Sequence, residues 1–135
     1  MRQYLILNRC LLILACMLYA VHAVAYDRER AKASLAGELA DCAAYFIVVA
    51  EFVEQRGQAG IADNVAMTAE VLMGGSAALI GEDASQADYE NAKRRHVAFL
   101  QDPANFPRMV DRYNTSCMAL FRDPGTRMQY WLDKL

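Results

Sequence analysis

Few side chains in this sequence can do chemistry, and the spacing of those few decides most of the functional reading. The imidazoles are His22 and His96. His22 lies in an apolar run, so a general acid, a general base or a metal ligand would have to be His96. An essential imidazole needs an acceptor to orient it. On a helix the neighbouring offsets from His96 fall on Ala92, Lys93, Phe99 and Leu100, and none is an acid. His96 is therefore expected at the boundary of the fold, without a functional role. Lys93 also occupies the glutamate position of the Glu-x-x-His motif used by di-metal bundles. Covalent haem needs Cys-x-x-Cys-His, which is missing. An axial partner for His96 could come only from Met67, Met73, Met109, Met118 or Met128, which read as core filler. Ser34, Ser76, Ser85 and Ser116 lack the context of a nucleophile elbow. Glu38, Glu51, Glu54 and Glu70 could supply paired carboxylates for glycoside cleavage, but acids at exposed helical positions are ordinary. No catalytic residue, metal ligand or cofactor is expected.

The four cysteines divide into two pairs by position. Arg2 and Arg9 precede an apolar run from Cys10 to Ala25, which ends on Ala23-Val24-Ala25 before the charged Tyr26-Asp27-Arg28. A basic start, an apolar centre and a small-residue exit make an export signal. Residues 1–25 are expected to be cleaved, leaving residues 26–135 as a single periplasmic or secreted domain. Two other readings stay open. A retained span would want about 20 apolar residues, more than this run offers. Ile13-Leu14-Ala15-Cys16 loosely resembles a lipobox, although Leu14 fits it poorly. Cleavage removes Cys10 and Cys16. Cys42 and Cys117 remain, and in an oxidising compartment the expectation is a disulfide between them. Two sulfurs cannot fill a tetrahedral metal shell.

Charge narrows the partners. The chain holds 14 Lys and Arg against 16 Asp and Glu, and losing Arg2 and Arg9 leaves 12 against 16, a net charge of −4. Nucleic acid and anionic membrane call for a concentrated basic face, so neither is expected as a partner, and no stable membrane insertion should follow cleavage. Residues 26–91 carry 12 acids and 4 bases, whereas residues 92–135 carry 8 bases and 4 acids. The two halves should pack together and neutralise one another. The sharper alternative is an acidic patch for a basic partner.

The elements that must position these residues are helical. Leu35, Leu39, Cys42, Phe46, Val49 and Val53 recur at steps of 4, 3, 4, 3 and 4, the seam of a first helix that Gly57 and Gly60 end. A second helix is expected from about Ile61 to Ile80, with Ile61, Val65, Thr68, Leu72, Ser76 and Leu79 on one side. Gly74 and Gly75 inside it suggest close approach of another helix, and Gly81 supplies the stop. Ser85 and Asp88 resemble a capping box opening a third helix with Tyr89, His96, Phe99 and Leu100. After Pro103 and Pro107, Val110, Tyr113, Cys117 and Leu120 mark a fourth. Asp123-Pro124 caps a short fifth with Met128, Trp131 and Leu135. The fold class is all-α, an antiparallel four-helix bundle with a short C-terminal fifth helix and one disulfide.

The last segment has the most distinctive residues. Arg127, Tyr130 and Trp131 are interface anchors by type, and form the candidate interaction surface. The plainer account has Trp131 plugging the bundle and Arg127 pairing with an acid of the first half. Cys42-x-x-Tyr45-Phe46, answered by Tyr113-x3-Cys117 and the Asp-Pro…Arg…Tyr-Trp ending, resembles small exported single-disulfide helical proteins of Gram-negative bacteria. The resemblance covers parts of two or three helices, and its motifs are structural rather than catalytic. In plan the chain is also similar to periplasmic acid-stress chaperones and to immunity proteins that block cell-wall amidases, although no site residue carries over from either. The expectation is a non-enzymatic exported protein that binds another protein as an inhibitor, immunity factor or envelope chaperone. The alternatives are a small cell-wall hydrolase using a Glu and His96, or a bundle holding a small hydrophobic ligand.

Overall fold

The computed structural model describes residues 2–134, with side chains from Ala25 to Lys134. Five α-helices carry the described chain: α1 (Arg2–Glu54), α2 (Ala59–Ile80), α3 (Glu82–Phe99), α4 (Phe106–Arg122) and α5 (Pro124–Lys134). A 3-10 turn at Pro103–Asn105 precedes α4, and no strand occurs among the described residues. Among the described residues the fold is all-helical with one disulfide, Cys42–Cys117.

The export signal read over residues 1–25 falls, save Ala25, on side chains outside the described residues. The apolar sequence there is carried on a helical backbone that runs into the domain, compatible with a signal. No proline occurs between Arg2 and Glu54 to break α1. The stretch Ala25–Glu54 is long and apolar enough to cross a bilayer, yet 61% of its apolar window is buried within the protein, as in a core helix.

α1 is the hub: α2, α3, α4 and α5 all pack on it. A single buried seam was expected, but its burial runs almost all the way round. Leu35, Leu39, Cys42 and Phe46 are inside, and so are Ala36, Ala40, Ala43, Tyr45 and Val48 between them. Alanines at these positions let the neighbouring helices come close. α2 approaches nearest through Ala62, Ala69, Leu72 and Ser76, whose hydroxyl donates to the Ala36 carbonyl at 3.0 Å. Gly75 faces Leu39 there, as the close-approach reading requires, whereas a Cβ on Gly74 would meet nothing within 4 Å. Ile61 does not join this face. It is 54% exposed, and Ala62 takes the inward position one residue later.

The stops obey backbone chemistry. Gly57 and Gly81 both sit at positive φ, +79° and +89°, where a side chain is strained. Gly81 ends α2 and opens α3 with no spacer, which corrects the capping-box reading of Ser85. The helix already starts at Glu82, and Ser85 lies fully buried within it, its hydroxyl without a hydrogen-bond partner among the described residues. Phe99 is 38% exposed near the helix end. Phe106 stacks on Phe52 with ring centroids 3.9 Å apart, while Arg56 covers the Phe52 ring at 3.4 Å. That stack fixes the start of α4 against the end of α1. At the other end, Asp123 caps α5 as its sequence requires, accepting from the Thr126 N–H at 3.0 Å and the Thr126 hydroxyl at 2.6 Å.

Candidate functional site

The disulfide forms the floor of the main cleft. Cys42 on α1 and Cys117 on α4 have Cα atoms 5.3 Å apart, and both are buried. Above them a cleft of about 820 Å³ opens between α1, α4 and α5. α1 contributes Glu38 and Asp41, and α5 contributes Thr126, Arg127 and Tyr130. α4 lines it with two rows at helical spacing. Tyr113, Cys117 and Leu120 form the inner row, and Arg112, Ser116 and Ala119 the outer, with Asp123 just past the helix end.

Of the sequence candidates, the structure brings Arg127, Tyr130 and Trp131 together. The Arg127 guanidinium lies 4.2 Å from the Tyr130 ring centre and 5.5 Å from that of Trp131, and the two rings meet edge to face at 5.4 Å. Their exposures differ. Tyr130 is 40% exposed, whereas Trp131 packs against the core with its indole N–H buried and unpartnered among the described residues. Arg127 forks onto Glu38, with Nε donating to Oε2 at 2.7 Å and Nη2 to Oε1. This pairing holds the guanidinium above its usual value, burial opposing it. Lys134 donates to the Tyr130 hydroxyl at 2.7 Å, which holds that phenol below its usual range.

Ion pairs join the acidic and basic halves as expected: Lys93 with Glu51 at 2.7 Å, Arg95 with Asp41 at 2.9 Å, and Arg127 with Glu38. The lysine lies above its ordinary value, first because Glu51 accepts its hydrogen bond.

His96 overturns its boundary placement. Only 3% of it is exposed, and Nε2 stands 3.3 Å from both the backbone oxygen and the Oδ1 of Asp41. The Tyr113 ring meets it edge on at 4.7 Å, and Tyr45 lies on a second side at 6.4 Å. Its orienting acid comes from another helix, 55 residues away, which no offset within α3 could reveal. Burial pushes the Asp41 carboxyl up, but the hydrogen bonds and charges of His96 and Arg95 outweigh it and hold the group below its usual range. Tyr45 is pushed up to about 12 by burial. A ring so enclosed presents no face to a substrate, and its contacts tie α3 to α1.

The arrangement offers an aromatic and cationic lip, an apolar floor and two neutralised carboxylates. No three of His, Cys, Asp and Glu among the described residues are placed to hold a metal ion. Sequence reasoning missed Asp41 and the outer row of α4, and named Glu38 only among possible paired carboxylates. The four-residue step from Arg112 to Ser116, set beside the Cys117 seam, was the available signal for the row. Comparison with protein-family models, curated proteins and solved structures finds no match.

Proposed function

We propose that this chain is exported to the periplasm and acts there by holding another protein, as an inhibitor, immunity factor or envelope chaperone does. The bundle reading belongs to the same proposal, with α1 to α4 antiparallel and α5 closing one end. Its support is the brevity of the turns at 55–58, Gly81 and 100–105 and the packing of every other helix on α1. Kinship with exported single-disulfide helical proteins rests on the motifs around Cys42, Cys117 and Trp131.

One observation carries the binding reading: the cleft places an exposed tyrosine and fixed guanidinium groups over an apolar, covalently braced floor. Tyr and Arg are enriched at interface centres because they combine large contact area with polar tips. A braced floor also loses little conformational freedom on binding. The hydrolase alternative would use a Glu and His96. His96 is enclosed and does not line the cleft, and Glu38, the glutamate that does, is bound by Arg127, whereas a general acid must be held high.

The test is capture from a Gram-negative periplasmic extract with oxidised protein, Tyr130→Ala, and Glu82→Gln as a distant control. A protein retained by the wild type and the control but lost by Tyr130→Ala is the expected result. Retention of nothing, or equal retention by all three, contradicts the reading.

A further inference from the structure

Resting on that binding reading, the charges of the cleft specify what the partner inserts. Glu38 is occupied by Arg127 through two hydrogen bonds. Asp41 is shared between Arg95 and His96. Asp123 accepts from the backbone and hydroxyl of Thr126 at the start of α5. Each carboxylate lining the cleft therefore has its donors already.

Arg112 is different. It lines the same cleft, and among the described residues it forms no ion pair. Its guanidinium lies 5.4 Å from the Tyr113 ring centre, steadied against the aromatic edge of the site. The cleft lining itself holds two bases (Arg112, Arg127) and three acids (Glu38, Asp41, Asp123), and with each acid already engaged Arg112 is the lining base left without an ion pair among the described residues. Beside Arg112 the floor is apolar, made of the disulfide and Leu120, and Tyr130 lines the cleft from α5.

We infer that the cleft accepts a segment of a partner protein that carries a carboxylate next to a large apolar side chain. The carboxylate sits on Arg112, whose fork suits two parallel hydrogen bonds. The apolar side chain lies on the disulfide floor against Tyr130. A basic segment is rejected, because it would meet a guanidinium with no spare acid to offset it. The cleft is partly open rather than enclosed, which suits a chain segment better than a small molecule that must be enclosed.

The experiment is panning of a random-peptide display library on the intact, oxidised protein, followed by fluorescence anisotropy with the enriched peptides. Enriched sequences are expected to pair Asp or Glu with Leu, Phe or Trp. Arg112→Glu should weaken them by on the order of tenfold or more, with Arg112→Gln between the two. Panning on the Arg112→Glu protein should shift enrichment toward Lys and Arg. Arg94→Glu, on α3 away from the cleft, should change nothing. A basic or uncharged consensus, indifference to Arg112→Glu, or no enrichment overturns the inference. If extract capture is still lost with Tyr130→Ala, only the stated partner chemistry fails. If that capture also fails, the binding reading falls with it.

Discussion

His96 and Asp41 meet across the α1–α3 contact, with Nε2 3.3 Å from Oδ1, and Asp41 in turn receives Arg95 at 2.9 Å. A buried imidazole with a neighbouring carboxylate invites a catalytic reading, but here Tyr45 and Tyr113 close the ring in. The pair works as a brace. His96→Ala should cost on the order of 3 kcal/mol, from the vacated ring volume and the lost hydrogen bond together. Urea unfolding measures this, and a loss below about 1 kcal/mol would place the ring in solvent.

The same contact governs stability in acid. The Asp41 carboxyl lies below its ordinary 3.8 in the folded protein. A group lowered on folding contributes stability above its unfolded value and loses it as pH falls through the folded one. Asp41→Asn should therefore be less stable than the wild type at neutral pH, with the gap closing below about pH 4. Denaturation curves from neutral to acid pH decide this, and a constant gap would contradict it.

Cutting the covalent link should be costly. The Cys42–Cys117 bond spans 75 residues, and a loop of that length removes denatured-state entropy worth about 4 kcal/mol. The Cys42→Ser, Cys117→Ser double variant should lose roughly that amount in thermal or chemical melts. A loss near zero would mean the helices fix the loop by themselves.

One position should gain stability by substitution. Gly74 is an exposed interior residue of α2, and a Cβ there meets nothing within 4 Å. Gly74→Ala should add about 1 kcal/mol, the helix-propensity difference between the two residues. A destabilised variant would indicate that this face is covered in solution.

Processing should leave Tyr26 at or near the new amino terminus. Among the described residues the buried core begins at Ala31, and residues 25–30 contribute nothing to it. Intact-mass measurement on protein exported by a Gram-negative host checks this. A species retaining Met1 or acylated at Cys16 would contradict it.

The features legible in the sequence were those set by short-range chemistry. The Cys42–Cys117 pair, the Asp123 cap and the Tyr113–Cys117–Leu120 seam each follow from spacing within one helix or from counting thiols. That Arg127 pairs with an acid of the first half was legible in the charge asymmetry, whereas the choice of Glu38 was not. His96 was misplaced because its acid sits on a different helix. Ser85 was misread because Gly81, at positive φ, ends one helix and starts the next without a spacer, so the helix begins four residues earlier than a cap at Ser85 would place it. The breadth of burial on α1 was hidden by its alanines, which mark no seam until other helices surround them.

The placement of the disulfide also has a mechanical consequence. Helices α2 and α3 lie wholly inside the ring of chain that Cys42 and Cys117 close, while α5 lies outside it. A pull on the two ends of the protein travels along α1 to Cys42, crosses the sulfur–sulfur bond, and leaves through the last turn of α4 and α5. The ring between the cysteines bears no load and releases no length until that bond is reduced. Under tension the oxidised molecule behaves as a short link of low extensibility, and reduction frees the ring to pay out.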